Sequence, residues 1–253
     1  MTNKNKKYAI ISVSNKKNID KFAKKLIKNN YTILSTGGTA KFLTSKRIKN
    51  ISISKFTAFE EILEGRVKTL HPRVHAGILA KDQSSISSLK NNTYELIDMV
   101  VVNLYPFEKT ISKKNCTYNE AIENIDIGGP TMLRAAAKNH QRVTVVTDPD
   151  DYNIITNELD KFGKTSASLR SQLALKVFKK ISHYDAMICE YLDDSEQKSN
   201  DILPLEFKMI LDNKYELRYG ENPHQKAALY DIRSPRLQGF NYEQLAGKEL
   251  SYN

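Results

Sequence analysis

"LIDMVVVNLYPF", residues 96–107, decides how this chain is read, because Met99 to Val102 leave no polar side for water. A continuous apolar run of this kind, closed by Asn103 and the tip Tyr105-Pro106, reads as a strand covered on both faces. Such strands belong to parallel sheets with helices above and below.

The flanking sequence supplies those helices. "YAIISV" (8–13) is another apolar run, and "NIDKFAKKLIKNN" after it sets Ile19, Phe22, Ala23, Leu26 and Ile27 on one helical face. "YTILS" (31–35), "TGGT", "AKFLTSK" and "ISIS" (51–54) then give strand, turn, helix and strand. Past the central run, "YNEAIENI" reads as helix, "GGPTMLRAAAKN" opens a helix with Pro130 near its first turn, and "RVTVVT" is a strand. "DPDDYNIITNELDKFG" and "SASLRSQLALKVFKKISHYDAMICEYL" read as helices. The alternation predicts an α/β fold built on a doubly wound parallel sheet, with ligands beyond the carboxyl ends of the strands.

"DDSEQKSND" (193–201) contains nothing apolar to bury and marks a boundary. Residues 1–195 are expected to form one domain, and 196–253 a linker with a partial α+β segment.

Composition narrows the function classes. A chain of 253 residues with 40% hydrophobic residues can fill a real core. Cys116 and Cys189 lie far apart without metal-like spacing, and "MTNKNKKYAIISVSN" has too short an apolar run for a signal peptide. No stretch is long enough to span a bilayer, so a cytoplasmic location with no membrane partner is expected. The formal charge of +10 favours anionic partners, but its lysines are scattered over helix faces and no nucleic-acid motif accompanies them. A nucleic-acid partner is therefore not expected.

The polar chemistry collects in the connections. "STGGT" (35–39) places Ser35, Thr36, Gly37, Gly38 and Thr39 at a strand-to-helix turn, where free N–H groups and the helix dipole favour phosphate. Ser12, Ser14 and Lys16 close an earlier strand at the same edge. "EGRVKTLHPRVHAGIL" (64–79) alternates Arg66 and Lys68 about Val67, which in an extended segment sends both cations to one side. His71 and His75 have the spacing of a helical zinc pair, but Pro72 disfavours a helical His71 and no third ligand is in view, so no metal is expected. Asn103 and Tyr105, two residues apart, either cap the strand or reach the crevice. Asp126 precedes a Gly-Gly-Pro helix start whose N–H groups could hold an oxygen, and Arg134 and Lys138 form a like-charge pair that an anion would relieve.

Taken in order, "SVS-x-K", "STGGTA", "GRVKTLHPRVHAGIL", "NLYPF", "DIGGPTMLRAAAKNH" and "VTVV" resemble the amino-terminal inosine monophosphate (IMP) cyclohydrolase domain of the bifunctional purine biosynthesis family, which also carries aminoimidazole carboxamide ribonucleotide (AICAR) transformylase. The resemblance implies a methylglyoxal synthase-like fold and closure of the purine ring of 5-formamidoimidazole-4-carboxamide ribotide with loss of water. It also implies a homodimer with a small nucleotide as substrate. By the same likeness, Ser12, Ser14, Lys16, Ser35, Thr36, Gly37, Gly38 and Thr39 bind the ribose phosphate, with Arg66 and Thr69 beside them. Lys68 and Lys138 stabilise charge, Tyr105 donates a proton to the departing oxygen, and Asp126 engages the attacking amide. Asn103 and the backbone of Ile127 and Gly128 read the base. No cofactor is implied for ring closure.

"LRYGENPHQKAALY" resembles the opening of the transformylase domain, whose cofactor would be 10-formyltetrahydrofolate. That domain's Lys-His and Pro-Cys-Gly elements are not found here, so transformylase activity is expected to be absent. The sequence also departs from the family at Asn15, where Asp is usual, and after Lys16, where Thr-Gly is usual. A nucleotide-sensing regulatory domain of the same fold is the rival reading, but it would need the phosphate turn and not Lys68, Tyr105, Asp126 and Lys138. A methylglyoxal synthase would need its own aspartate and histidine pattern.

Overall fold

A computed structural model describes residues 6–89, 94–196, 210–233 and 245–252. The chain divides into two units, Met1–Glu196 and Gln197–Asn253. Part of the expected linker, residues 197–201, lies outside the described residues.

In the first unit, β1 (Lys7–Val13), α1 (Ile19–Lys28), β2 (Tyr31–Ser35), α2 (Gly37–Ser45), β3 (Ile51–Ser52) and α3 (Ile53–Thr57) follow one another. A 3₁₀ turn at Leu63–Gly65 leads to α4 (Pro72–Leu79), α5 (Gln83–Ser87) and β4 (Met99–Asn103). Next come α6 (Phe107–Ile111), α7 (Tyr118–Glu123), α8 (Gly128–Lys138) and β5 (Thr144–Val146). A second 3₁₀ turn at Pro149–Asp151 precedes α9 (Tyr152–Phe162) and α10 (Ala167–Glu196).

The five strands form one sheet in the order β3-β2-β1-β4-β5, with every pairing parallel. The chain leaves β1 toward β2 on one side and later fills β4 and β5 on the other. The gap between these excursions opens at the carboxyl ends of β1 and β4, where a doubly wound sheet takes its ligand. Val13 stands opposite Asn103 in that register.

Burial follows the sequence pattern, with one exception. Met99, Val100, Val101 and Val102 are all buried, each adding about 1.5–3 kcal/mol of transfer free energy. On α1, Ile19, Phe22, Ala23 and Leu26 pack inward, and Phe22 stacks on Tyr152 of α9 with ring centres 4.3 Å apart. Ile27, expected on that face, is exposed, because the buried stripe is narrower than the apolar one.

Two local expectations are corrected. "ISIS" is not a full strand: only Ile51–Ser52 pair, since the Ser52 side chain accepts the Lys55 N–H and starts α3. The "LYPF" tip does not prolong β4, and Phe107 begins α6 instead.

Arg142 locks the underside of the sheet. Its guanidinium donates to the carbonyls of Gly77, Ile78, Ala80 and Ile97 at 2.7–3.1 Å and faces Asp98 at 3.6 Å. Asn139 adds bonds to Ile78 and Ala80, so the carbonyl end of α4 is capped by side chains from beyond α8.

In the second unit, β6 (Ile210–Leu217) and β7 (Ala227–Arg233) form an antiparallel pair with an irregularity between Asn213 and Tyr215. The intervening turn is closed by Gly220 N–H to Gln225 O at 2.8 Å, and Arg218 N–H reaches Leu250 O at 3.0 Å. Among the described residues, no helix is long and apolar enough to cross a membrane.

Candidate functional site

The site is assembled at the carboxyl ends of β1, β2 and β4. At the end of β2, Thr36 is extended and serves as N-cap of α2, while Gly37 takes φ 38°, a value an L side chain resists. Gly37 and Gly38 are exposed, so the first N–H groups of α2 face solvent without intrahelical partners. Thr39, buried on the first turn, ties this helix to β1: its hydroxyl receives Val13 N–H at 3.0 Å and lies 3.1 Å from Val13 O. Ser12 and Thr36 hydroxyls are 2.9 Å apart, which joins the two strand ends.

Lys16 folds back onto this corner, bonding Val13 O and, at 3.1 Å, Thr39 Oγ1. Burial holds its ammonium pKa below the ordinary value. Asn15 supports the turn by accepting Lys17 N–H at 2.9 Å. Ser35 differs from its neighbours, since its hydroxyl is buried and donates to Asn50 at 2.6 Å.

Asn103 bridges the gap between β1 and β4. Its Oδ1 accepts Ser14 N–H at 2.6 Å, Ser14 Oγ–H at 2.7 Å and Asn15 N–H at 2.9 Å, and its Nδ2 donates to Asn15 O at 3.2 Å. Asn103 thus shapes the crevice wall. Tyr105, two residues on, is half exposed at the same edge.

Arg66 and Lys68 do not point together. Arg66 has helical backbone angles after the 3₁₀ turn, so the extended geometry fails there, and its guanidinium pairs with Glu123 of α7. Lys68 turns toward the glycine turn, with Nζ 4.0 Å from where a Cβ on Gly37 would lie. Thr69 is buried, with Oγ1 2.6 Å from the corresponding position on Gly128. His71 is the N-cap of α4, its Nδ1 accepting Arg73 N–H at 3.1 Å, while His75 lies inside that helix. Burial lowers the His75 pKa, against a bond that its ring donates to the Thr69 backbone carbonyl, which favours the charged form. Among the described residues, no group of three or more His, Cys, Asp or Glu is placed to hold a metal ion.

Asp126 sits just before α8. Its Oδ1 accepts Gly129 N–H at 2.9 Å, and its carboxylate occupies the space a side chain on Gly129 would need. Burial raises the Asp126 pKa, while the Gly129 N–H and the Lys68 charge act in the opposite sense. Ile127 is exposed beside it, at the N-terminal end of α8.

Lys138 is not brought to this group. It closes α8, ten residues after Gly128 and about 15 Å along the helix axis, and its neighbour Arg134 lies over the Phe178 ring at 6.0 Å. Arg134 thus has an aromatic face where the like-charge spacing suggested an anion. Sequence reasoning missed Glu123, Asn50 and Tyr184. Only Tyr184 had a signal: it falls on the apolar stripe with Val177 and Ile181, and a buried phenol needs a partner.

The raised Asp126 pKa carries a stability consequence. The folded state binds this proton more tightly than the unfolded chain, so the contribution is full below the ordinary 3.8 and is lost as pH rises through the folded value. Asp126→Asn is therefore expected to melt above wild type at pH 7, with the gain disappearing near pH 3. Thermal melts across this range check it.

An MGS-like domain model matches residues 18–131, and an AICARFT/IMPCHase bienzyme model matches residues 136–253. The chain is 52% identical over 252 residues to the bifunctional purine biosynthesis protein PurH of Caldicellulosiruptor bescii, covering 98% of this chain and 49% of that protein. It is 47% identical over 250 residues to PurH of Bacillus subtilis, covering 98% and 48%. The chain thus spans about half the length of the curated relatives it matches. A solved structure described as "Crystal structure of ForH" superimposes with a TM-score of 0.68 at 31% identity, covering 75% of this chain and 98% of the other.

Proposed function

Since the chain belongs to the family of bifunctional purine biosynthesis proteins that join an MGS-like domain to an AICARFT/IMPCHase region, we propose that it closes the purine ring of 5-formamidoimidazole-4-carboxamide ribotide to give IMP. The observation that carries this reading is the position of Lys68. One ammonium lies beside the glycine turn that suits a phosphate and is also felt by the Asp126 carboxyl. A phosphate-sensing module needs the first contact and has no use for the second.

In the reaction the carboxamide nitrogen attacks the formyl carbon, a C–N bond forms, and the formyl oxygen leaves as water. The two protons of that water come, in net, from the carboxamide nitrogen and the formamido nitrogen. The nucleophile is weak, so holding it against the carbon is the first demand. The turns at Ser12–Lys16 and Thr36–Thr39 would anchor the phosphate, and Asn103 with the Ile127 and Gly128 backbone would orient the base. Asp126, more basic than an ordinary carboxylate through burial, is the acceptor for the amide proton. Lys68 stabilises the oxygen as it gains charge, and Tyr105 delivers a proton to it on departure.

The direct test is to mix the purified chain with the ribotide and follow IMP by its ultraviolet absorbance. Formation of IMP supports the proposal. Tight binding without turnover would favour the sensor reading.

Arg66 adds a smaller effect. To meet an anionic ligand it must leave Glu123, an exposed partner worth about 0–1 kcal/mol. Glu123→Gln is expected to tighten IMP binding by up to about fivefold, with the gain fading in high salt, as read by calorimetry.

A further inference from the structure

We propose that Tyr184 is a positioning residue of this site, holding the Asp126 turn and the Tyr105 segment in fixed relation through one hydroxyl and one ring edge. The inference rests on the cyclohydrolase reading and names a residue outside every motif that led to it.

Tyr184 lies in α10 and is only 4% exposed. Its hydroxyl oxygen accepts the backbone N–H of Asp126 at 2.8 Å, across 58 residues of chain. The same Asp126 uses its carboxylate to accept Gly129 N–H, so its main chain and side chain are held at two points. The Tyr184 ring meets Phe107 edge-on, with centres 6.2 Å apart and planes at 72°. Phe107 is 1% exposed, and its N–H donates to Tyr105 O at 2.8 Å. Tyr191 of α10 also stands edge-on to Phe107, at 5.7 Å.

Residues 104–106 and 125–127 lie outside any helix or strand. Such segments owe their shape to what grips them, and both proposed proton-transfer groups sit on them. Burial raises the Tyr184 pKa, so the phenol stays neutral through the working range and puts no negative charge beside Asp126. The charged or titratable groups around Asp126 are Lys68 from the loop before α4, Arg134 of α8, and Tyr184 and Asp185 of α10.

Tyr184→Phe keeps the ring and deletes the hydroxyl. Loosening the turn weakens the Gly129 bond that favours the ionised carboxyl, so the Asp126 titration midpoint, followed by carbon NMR, is expected to rise by about half a pH unit. The kcat for ring closure should fall about tenfold and its acid limb should shift with that midpoint, while KM and the melting temperature stay near wild type. Phe107→Leu, which spares the hydroxyl bond, should lower kcat and leave the midpoint in place.

An unchanged Asp126 midpoint in Tyr184→Phe overturns the proposal, as does an equal shift in Phe107→Leu. Should the wild-type chain fail to close the ring, the functional reading falls, and the NMR titration still decides what Tyr184 does to Asp126.

Discussion

Lys68→Ala is expected to lose on the order of 10²- to 10³-fold in kcat/KM for ring closure while unfolding at the wild-type temperature. The ammonium stands beside Gly37, whose turn would hold phosphate, and its charge reaches the Asp126 carboxyl. In the proposed ring closure, removing it would leave the negative charge that develops on the formyl oxygen without a counterion. It also removes one influence that favours ionised Asp126, so the carboxyl should titrate higher in the variant. Among the described residues Lys68 makes no salt bridge, and its charge reaches Asp126 without a hydrogen bond, which is why stability should stay close to wild type. Turnover within threefold of wild type would remove Lys68 from the mechanism.

Arg142→Ala should have the largest effect on stability, about 3–5 kcal/mol in urea unfolding at pH 7. The guanidinium serves four carbonyl oxygens around the end of α4 and the start of β4 and faces the half-buried Asp98. Alanine leaves those carbonyls short of donors and the Asp98 charge without its cation. Burial already raises the Asp98 pKa, against Arg142 and the Tyr8 N–H. Protonating Asp98 in the variant removes the uncompensated charge, so the deficit should narrow as pH falls toward 4. A deficit below 1 kcal/mol at pH 7 would show that water replaces the guanidinium without loss.

Much of this molecule is written in local pattern. The apolar runs at 8–13, 31–35 and 99–102, each followed by a helical stripe, determine strand, helix and parallel sheet, because period and burial on both faces are properties of neighbours along the chain. The "TGGT" turn is equally local, since its two glycines release the backbone at a helix start.

Partners distant in sequence were decided only by tertiary structure. Arg66 and Lys68 share a tripeptide, yet one meets Glu123 and the other the glycine turn, because Arg66 closes a 3₁₀ turn with helical backbone angles and the extended alternation does not hold there. Ser35 and Thr36 adjoin in sequence, and only Ser35 turns to Asn50. Lys138 belongs to the same motif as Asp126 but lies a helix length away, since a motif measures residues and a site measures ångströms. Tyr184 carries no mark of its contact with Asp126, because a hydrogen bond across 58 residues depends on how α10 packs after the chain has closed.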